Sequence, residues 1–170
     1  MKKSFCLILI MLLLLSSCTI QKDVNIDLFI ERFCNKYPQY IVEYDKISYE
    51  KDRCILFISN DSGITFTVEL TSDLQEKVKK ISITCIETDK TELLRDFVKD
   101  IIFIYDYDED ADSVISNLFT DKNFSFYETD WYLYAFIKTE NGIYFSVENK
   151  KYSPAKEYEL TIKEKITLFK

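Results

Sequence analysis

Four aspartates at alternate positions are the most regular series of potentially reactive side chains: Asp106, Asp108, Asp110 and Asp112. Because alternate side chains of a curled loop can converge, such a series could supply hard oxygen ligands for Ca²⁺. The stretch lies between two segments with helical periodicity, so it also suits a solvated linker in which Asp110 or Asp112 caps the second helix. The sequence favours the linker and leaves a weak calcium-binding module as an alternative.

The aspartate series resembles the first half of an EF-hand loop, in which a glycine makes the sharp turn and a bidentate glutamate closes the site. Ala111 stands at the glycine position, and Asn117 stands at the glutamate position. The chain contains no histidine, which removes the commonest general base and transition-metal ligand. Paired acids remain possible catalysts, but no pattern directs them toward a pocket. We therefore predict a non-enzymatic protein without a cofactor.

The second candidate site is a tyrosine-rich sheet face, because two of the strand segments are apolar at both odd and even positions. One face would direct Ile55, Phe57, Leu133, Ala135 and Ile137 toward the helices. The other would then carry Cys54, Leu56, Ile58, Tyr132, Tyr134 and Phe136, with Tyr144 across from them. If uncovered, that second set would bind a protein or a small ligand. The alternative is a pair of central strands covered on both sides.

The cysteines that follow residue 18 are Cys34, Cys54 and Cys85, and their spacing matches no metal motif. In an oxidising compartment they allow one disulfide, such as Cys54–Cys85, and one remaining thiol. The other interpretation is that all three are buried apolar thiols.

Periodicity predicts an α+β fold, an antiparallel β-sheet with helices packed on one face. Helical spacing appears after Asn25 and after Thr91, and alternating or apolar runs between and after these segments indicate strands, the last at Tyr158–Leu168. Residues 63–69 match residues 142–148 at an offset of 79 positions. This repeat predicts a single domain at 23–170 built from two tandem α-βββ halves, 23–89 and 90–170.

Turn chemistry predicts the register of the two repeated hairpins. A four-residue loop, Asn60–Gly63, would pair Phe57 with Phe66. A three-residue loop, Glu140–Gly142, would pair Ile137 with Phe145 and keep apolar side chains on one face.

The amino-terminal stretch has the pattern of an export signal. Lys2 and Lys3 precede an apolar run that is too short to span a membrane, and Leu15-Ser16-Ser17-Cys18 follows. This combination resembles the bacterial lipobox, which identifies the chain as a lipoprotein; the remainder resembles no family that its motifs reveal. The resemblance implies removal of a signal peptide at 1–17, acylation of Cys18 with chains such as palmitate, and a short tether at 18–22.

Charge and the lipobox together define the expected function. Loss of Lys2 and Lys3 with the leader takes the formal net charge from −7 to −7 − 2 = −9, which disfavours nucleic acid as a partner. Thr19 implies the outer membrane in a cell with two membranes, or the outer face of the cell membrane otherwise. We expect a lipid-anchored binding domain with a protein or small-ligand partner; a structural or assembly component of the envelope is the alternative.

Overall fold

The computed structural model describes residues 24–73, 77–105 and 110–152. The leader 1–17, Cys18, the tether 18–22, Asp106, Asp108 and the strand predicted at Tyr158–Leu168 lie outside these ranges. The described elements are α1 (Ile26–Lys36), β1 (Tyr40–Val42), a 3₁₀ turn (Tyr44–Lys46), β2 (Ser48–Glu50), β3 (Arg53–Asn60), β4 (Thr65–Ser72), β5 (Val78–Cys85), α2 (Thr91–Tyr105), α3 (Ala111–Leu118), β6 (Phe124–Glu128), β7 (Tyr132–Thr139) and β8 (Gly142–Asn149).

Local hydrogen bonds define the start of α1 and the far end of α2. The Asn25 side chain accepts a hydrogen bond from the Leu28 amide at 2.7 Å, which satisfies a backbone donor that the first turn of α1 would leave unpaired. At its far end α2 is tied to the sheet, because the Tyr105 hydroxyl donates to the Val78 carbonyl at 2.9 Å. Within the described ranges, no helix combines the length and the apolar character needed to cross a membrane.

The strands form an antiparallel sheet in the order β1-β3-β4-β5-β8-β7-β6, with β2 also pairing with β3. This arrangement confirms the α+β class and the antiparallel sheet. The central contact joins β5 to β8, from Lys80 opposite Glu148 to Cys85 opposite Ile143. The first hairpin and the second are therefore parts of one continuous sheet.

Both predicted hairpin registers are wrong by one residue. Phe66 lies opposite Ile58 instead of Phe57, and Phe145 lies opposite Phe136 instead of Ile137. The first loop contains three residues, because Gly63 takes a φ of +76° and its amide donates to the Asn60 carbonyl at 2.9 Å, which closes the turn early. The second loop contains only two residues, between Thr139 and Gly142.

A shift of one residue in register exchanges the two faces of a strand. The helices pack on the face that carries Leu56, Ile58 and Phe66, which we call the helix face. There the rings of Phe66 and Phe97 stack with centroids 4.2 Å apart, joining β4 to α2. The opposite surface, which carries Ile55 and Phe57, is called the second face.

Candidate functional site

The tyrosine-rich set predicted to form an open binding face lies instead in the core. Tyr132, Tyr134 and Phe136 are on the helix face, and all three side chains are buried. Tyr132 contacts Tyr105 of α2 with ring centroids 5.2 Å apart, and Phe136 contacts Phe119 after α3 at 4.6 Å. The prediction of an exposed Tyr132/Tyr134/Phe136 surface was wrong, because α2 and α3 cover this side of the sheet.

Tyr144 is the fourth member of that predicted site, and it lies on the second face, away from the other three. It is also buried, and its hydroxyl donates to Ser82 Oγ at 2.9 Å, across the β5–β8 pairing. Burial raises the pKa of Tyr144. A phenol with a raised pKa stays protonated near neutral pH, so Tyr144 acts here as a hydrogen-bond donor and is poorly suited to general base chemistry.

An ion pair lies beside this hydrogen bond on the second face. Lys80 Nζ is 3.2 Å from Glu148 Oε2, and the two side chains are only 17% and 11% exposed. The pair joins the same two central strands that Tyr144 and Ser82 join. Because each charged group pairs with the other at low exposure, we interpret Lys80 and Glu148 as a structural link between β5 and β8 and not as ligand-binding groups.

The exposed tyrosines occur at one margin of the sheet, in the segment that runs through β1, the 3₁₀ turn and β2. Ile41, Tyr44 and Tyr49 are each at least 60% exposed. We call these three residues the tyrosine edge. The Tyr44 hydroxyl lies 3.3 Å from the Cys34 Sγ of α1, and this hydrogen bond is the main cause that raises the pKa of Tyr44. Burial is the main cause that raises the pKa of Tyr49.

The pairing of two short strands with β3 explains why this margin is exposed. β1 and β2 are three residues long, and the 3₁₀ turn separates them, so the outer margin of β3 is covered in two short pieces. Edges built of short pieces resist the addition of a further strand. A partner would therefore bind the tyrosine edge through side chains. Sequence analysis did not single out Tyr44 and Tyr49, because their exposure depends on how β1 and β2 pair with β3 and no local signal predicts that pairing.

A second polar and aromatic group joins α1, β1 and α2. The Tyr40 hydroxyl donates to Asp100 Oδ2 at 3.2 Å. Burial raises the pKa of Asp100, and the hydrogen bonds from Tyr40 and Tyr37 partly offset that rise. Burial also raises the pKa of Tyr37 to about 12. The hydrogen bonds connect α2 to β1 and to the end of α1, because each phenol stays protonated and donates to the Asp100 carboxylate.

The part of the acidic stretch that the structure describes has structural partners. The Asp110 side chain accepts from the Asp112 amide at 3.1 Å and caps α3. Asp112 Oδ1 lies 2.5 Å from Lys99 Nζ of α2. Across residues 24–73, 77–105 and 110–152, acidic and cysteine side chains form no group of three that could hold a metal. The calcium hypothesis stays a prediction, since Asp106 and Asp108 lie outside those ranges.

Cys34, Cys54 and Cys85 are free thiols, so the suggested Cys54–Cys85 disulfide is wrong. Cys54 lies opposite Leu70, which lies opposite Ile81, whereas Cys85 is four residues further along β5. The two sulfur atoms are therefore separated both across and along the sheet. Burial raises the pKa of Cys54 and of Cys85 to about 11, which disfavours the reactive thiolate.

Comparison of the chain with protein-family models, curated proteins and solved structures finds no match.

Proposed function

We propose that this chain is a bacterial lipoprotein whose domain is a non-enzymatic binding module, held at the cell envelope by acyl chains on Cys18. The tyrosine edge would bind a protein partner. The observation that carries the binding proposal is the exposure of two tyrosines and an isoleucine within nine residues of chain, Ile41, Tyr44 and Tyr49.

The location follows from the lipobox resemblance. Leu15-Ser16-Ser17-Cys18 comes at the end of a short apolar run, and the described domain begins only a few residues later, at Val24. Two or more acyl chains hold a protein stably at a membrane, whereas one chain gives marginal binding. The domain would therefore lie close to the bilayer, on the outer membrane of a two-membrane cell or on the outer face of a single membrane.

The chemistry of the tyrosine edge favours a protein as the partner. Tyrosine combines a large apolar ring with a polar hydroxyl and loses little conformational entropy on binding, so it is enriched in protein interfaces. Two exposed acidic side chains lie near the edge, Asp45 of the 3₁₀ turn and Asp27 of α1, which contributes to the raised pKa of Tyr49, and the turn also carries the exposed Lys46. We expect a partner surface with an apolar centre and a basic rim, since the chain is also acidic overall.

The anchor is tested by Cys18→Ala, with Cys6→Ala as the matched control, because Cys6 belongs to the leader that would be removed. The Cys18→Ala protein should move from the membrane to the soluble fraction, and the Cys6→Ala protein should remain in the membrane. Retention of the Cys18→Ala protein in membranes that have been washed with high salt would overturn the lipoprotein proposal.

The binding surface is tested by placing a photoreactive phenylalanine analogue at Tyr44 or at Tyr49 in living cells. Trp131 is the matched control, an aromatic residue that is 54% exposed in the turn between β6 and β7, near the margin of the sheet that β6 forms. One discrete cross-linked protein should form from the tyrosine edge and not from Trp131. Its yield should fall when Tyr44→Ser or Tyr49→Ser is introduced beside the probe. Equal cross-linking from both margins, or none from the tyrosine edge, would contradict the proposal and favour an envelope spacer.

We also propose that the two halves arose by duplication of an α-βββ unit. Support comes from the matching residues at the offset of 79 positions and from the equal lengths of the four hairpin strands β3, β4, β7 and β8. Sequences of homologues provide the test. Independent drift of the two motifs, with no shared pattern beyond alternation, would contradict duplication.

A further inference from the structure

Trp131 is the single tryptophan of the chain, and its side chain is 54% exposed in the turn between β6 and β7. This exposure holds with all 170 residues of the chain in place, so it does not depend on removal of an amino-terminal leader. Tryptophan is highly buried on average in folded domains, because leaving its large ring in water costs free energy. An indole ring that stays exposed in a turn therefore suits a surface that a partly apolar environment covers.

A second aromatic residue lies on the adjoining turn. The Lys150 amide donates to the Trp131 carbonyl at 2.9 Å, which holds the turn after β8 beside the start of β7. In the same turn, the Tyr152 amide donates to the Asn149 carbonyl at 3.0 Å. Lys151 is exposed, and its Nζ lies 5.2 Å from the centre of the Tyr152 ring. We call Trp131, Lys151 and Tyr152 the tryptophan corner.

The tryptophan corner lies at the end of the sheet where the amino-terminal segment joins the fold. The Val78 amide donates to the Val24 carbonyl at 2.8 Å, which places Val24 beside the start of β5. β8 pairs antiparallel with both β5 and β7, so the start of β5, the end of β8 and the start of β7 share one end of the sheet. Trp131 directly precedes β7. The backbones of Val24 and Trp131 are therefore within about three strand spacings, about 15 Å, of each other.

The proposed acyl anchor on Cys18, on which this inference rests, would lie close to the same end of the sheet. Six residues, 18–23, precede Val24, and six fully extended residues span at most about 20 Å. The opposite end of the sheet is farther from the anchor, because β5 is eight residues long and extends about 26 Å. Ile86, which directly follows β5 and is 74% exposed, marks that opposite end.

The residue types of the tryptophan corner suit the interface between lipid and water. Tryptophan and tyrosine favour this interface, because the ring is apolar and its N–H or O–H group can remain hydrated. A neighbouring lysine can lay its stem along the apolar region and keep its ammonium group in water. Asp130 is exposed beside Trp131 and offsets the charge of Lys151, so contact with a bilayer does not require anionic lipid. We propose that the tryptophan corner contacts the bilayer beside the acyl anchor, with the Trp131 ring in the lipid–water interface and Ile86 in the aqueous phase.

The single tryptophan allows a direct test, because the tryptophan fluorescence of the whole protein comes from Trp131 alone. The full chain is expressed in bacteria, extracted from whole cells with detergent and reconstituted into phosphatidylcholine vesicles. One vesicle preparation carries bromine atoms on its acyl chains, which quench indole fluorescence on close contact, and the other carries none. The emission of Trp131 should be at least about twofold lower in the brominated vesicles, as expected for a ring at the interface.

The matched control moves the single tryptophan to the other end of the sheet by Trp131→Phe with Ile86→Trp. Both side chains are exposed, so neither substitution removes a core residue. The tryptophan introduced at position 86 should emit equally from the two vesicle preparations, because about 26 Å of sheet separates it from the bilayer. Equal quenching at the two positions, or no quenching of Trp131, would overturn the proposed contact.

A mass spectrum of the amino-terminal peptide from the same sample distinguishes failure of this contact from failure of the proposed function. An acylated Cys18 together with unquenched Trp131 would overturn the membrane contact and leave the lipoprotein proposal standing. A Cys18 peptide without acyl chains would overturn the lipoprotein proposal and, with it, the membrane contact. Support requires an acylated Cys18, quenched Trp131 and an unquenched tryptophan at position 86.

Discussion

Tyr134→Ser should destabilise the fold strongly, because Tyr134 is among the largest side chains that are fully buried. It lies on the central part of β7, opposite Val147 of β8 and Tyr127 of β6, beneath the helices. Truncation of a large buried aromatic side chain removes its contacts and leaves a cavity, at a cost of about 3–5 kcal/mol. A domain of this size is stable by about 5–15 kcal/mol, so the substitution removes a large part of the free energy of unfolding.

Urea denaturation of the mature chain, followed by circular dichroism, measures this loss. With a slope of about 2 kcal/mol per molar urea, the midpoint should fall by about 2 M while the slope stays constant. Tyr44→Ser is the matched control, since Tyr44 is 63% exposed and its loss should change stability by less than about 0.5 kcal/mol. A Tyr134→Ser protein with a midpoint close to that of the unsubstituted chain would refute the placement of Tyr134 in the core.

Three further predictions concern a half-buried carboxyl group, a central ion pair and a turn. Burial raises the folded-state pKa of Asp100 above its ordinary value of 3.8, so the folded state binds this proton more tightly than the unfolded chain does. The stability that this group contributes is therefore lost as the pH rises from 3.8 through the folded-state pKa. Asp100→Asn should flatten this part of the curve of unfolding free energy against pH. An unchanged slope would show that Asp100 does not cause the pH dependence. Glu148→Gln should lower the free energy of unfolding by about 3 kcal/mol, because it leaves Lys80 without its carboxylate partner at low exposure. The double variant Glu148→Leu with Lys80→Met should recover most of that stability. Additive losses in the double variant would contradict this explanation. Gly142→Ala should lower the melting temperature more than Gly63→Ala does. A Cβ at Gly142 would lie 3.0 Å from a backbone carbonyl oxygen, whereas a Cβ at Gly63 meets no atom within 4 Å. Equal shifts in melting temperature would show that the close contact at Gly142 relaxes.

Local sequence features predicted the elements better than their arrangement. The helices predicted after Asn25 and after Thr91 appear where the sequence places them. Each depends on interactions between residues that are close in the chain, such as a capping hydrogen bond or the spacing of apolar side chains. The hairpin registers failed because they depended on loop length, and one residue more or less in a loop reverses which side chains face the helices.

The candidate sites were also misplaced because local sequence does not determine which face of the sheet the helices cover. The strands containing Leu56 and Tyr134 are apolar at successive positions, so alternation could not say which face the helices would cover. The exposure of Tyr44 and Tyr49 depended on how β1 and β2 divide the margin of β3, which is a long-range property. No rule of local spacing predicts such a division.

The sequence by itself determined the α+β class, the antiparallel strands, the helix caps and the resemblance to a lipoprotein leader, because these are properties of composition and of neighbouring residues. Only the tertiary structure decided that Tyr132 and Tyr134 belong to the core, that Tyr144 and Ser82 join β5 to β8, and that Tyr44 and Tyr49 face solvent. The physical reason is that burial is set by what packs on each face of the sheet, and that choice is made by contacts between residues far apart in the chain.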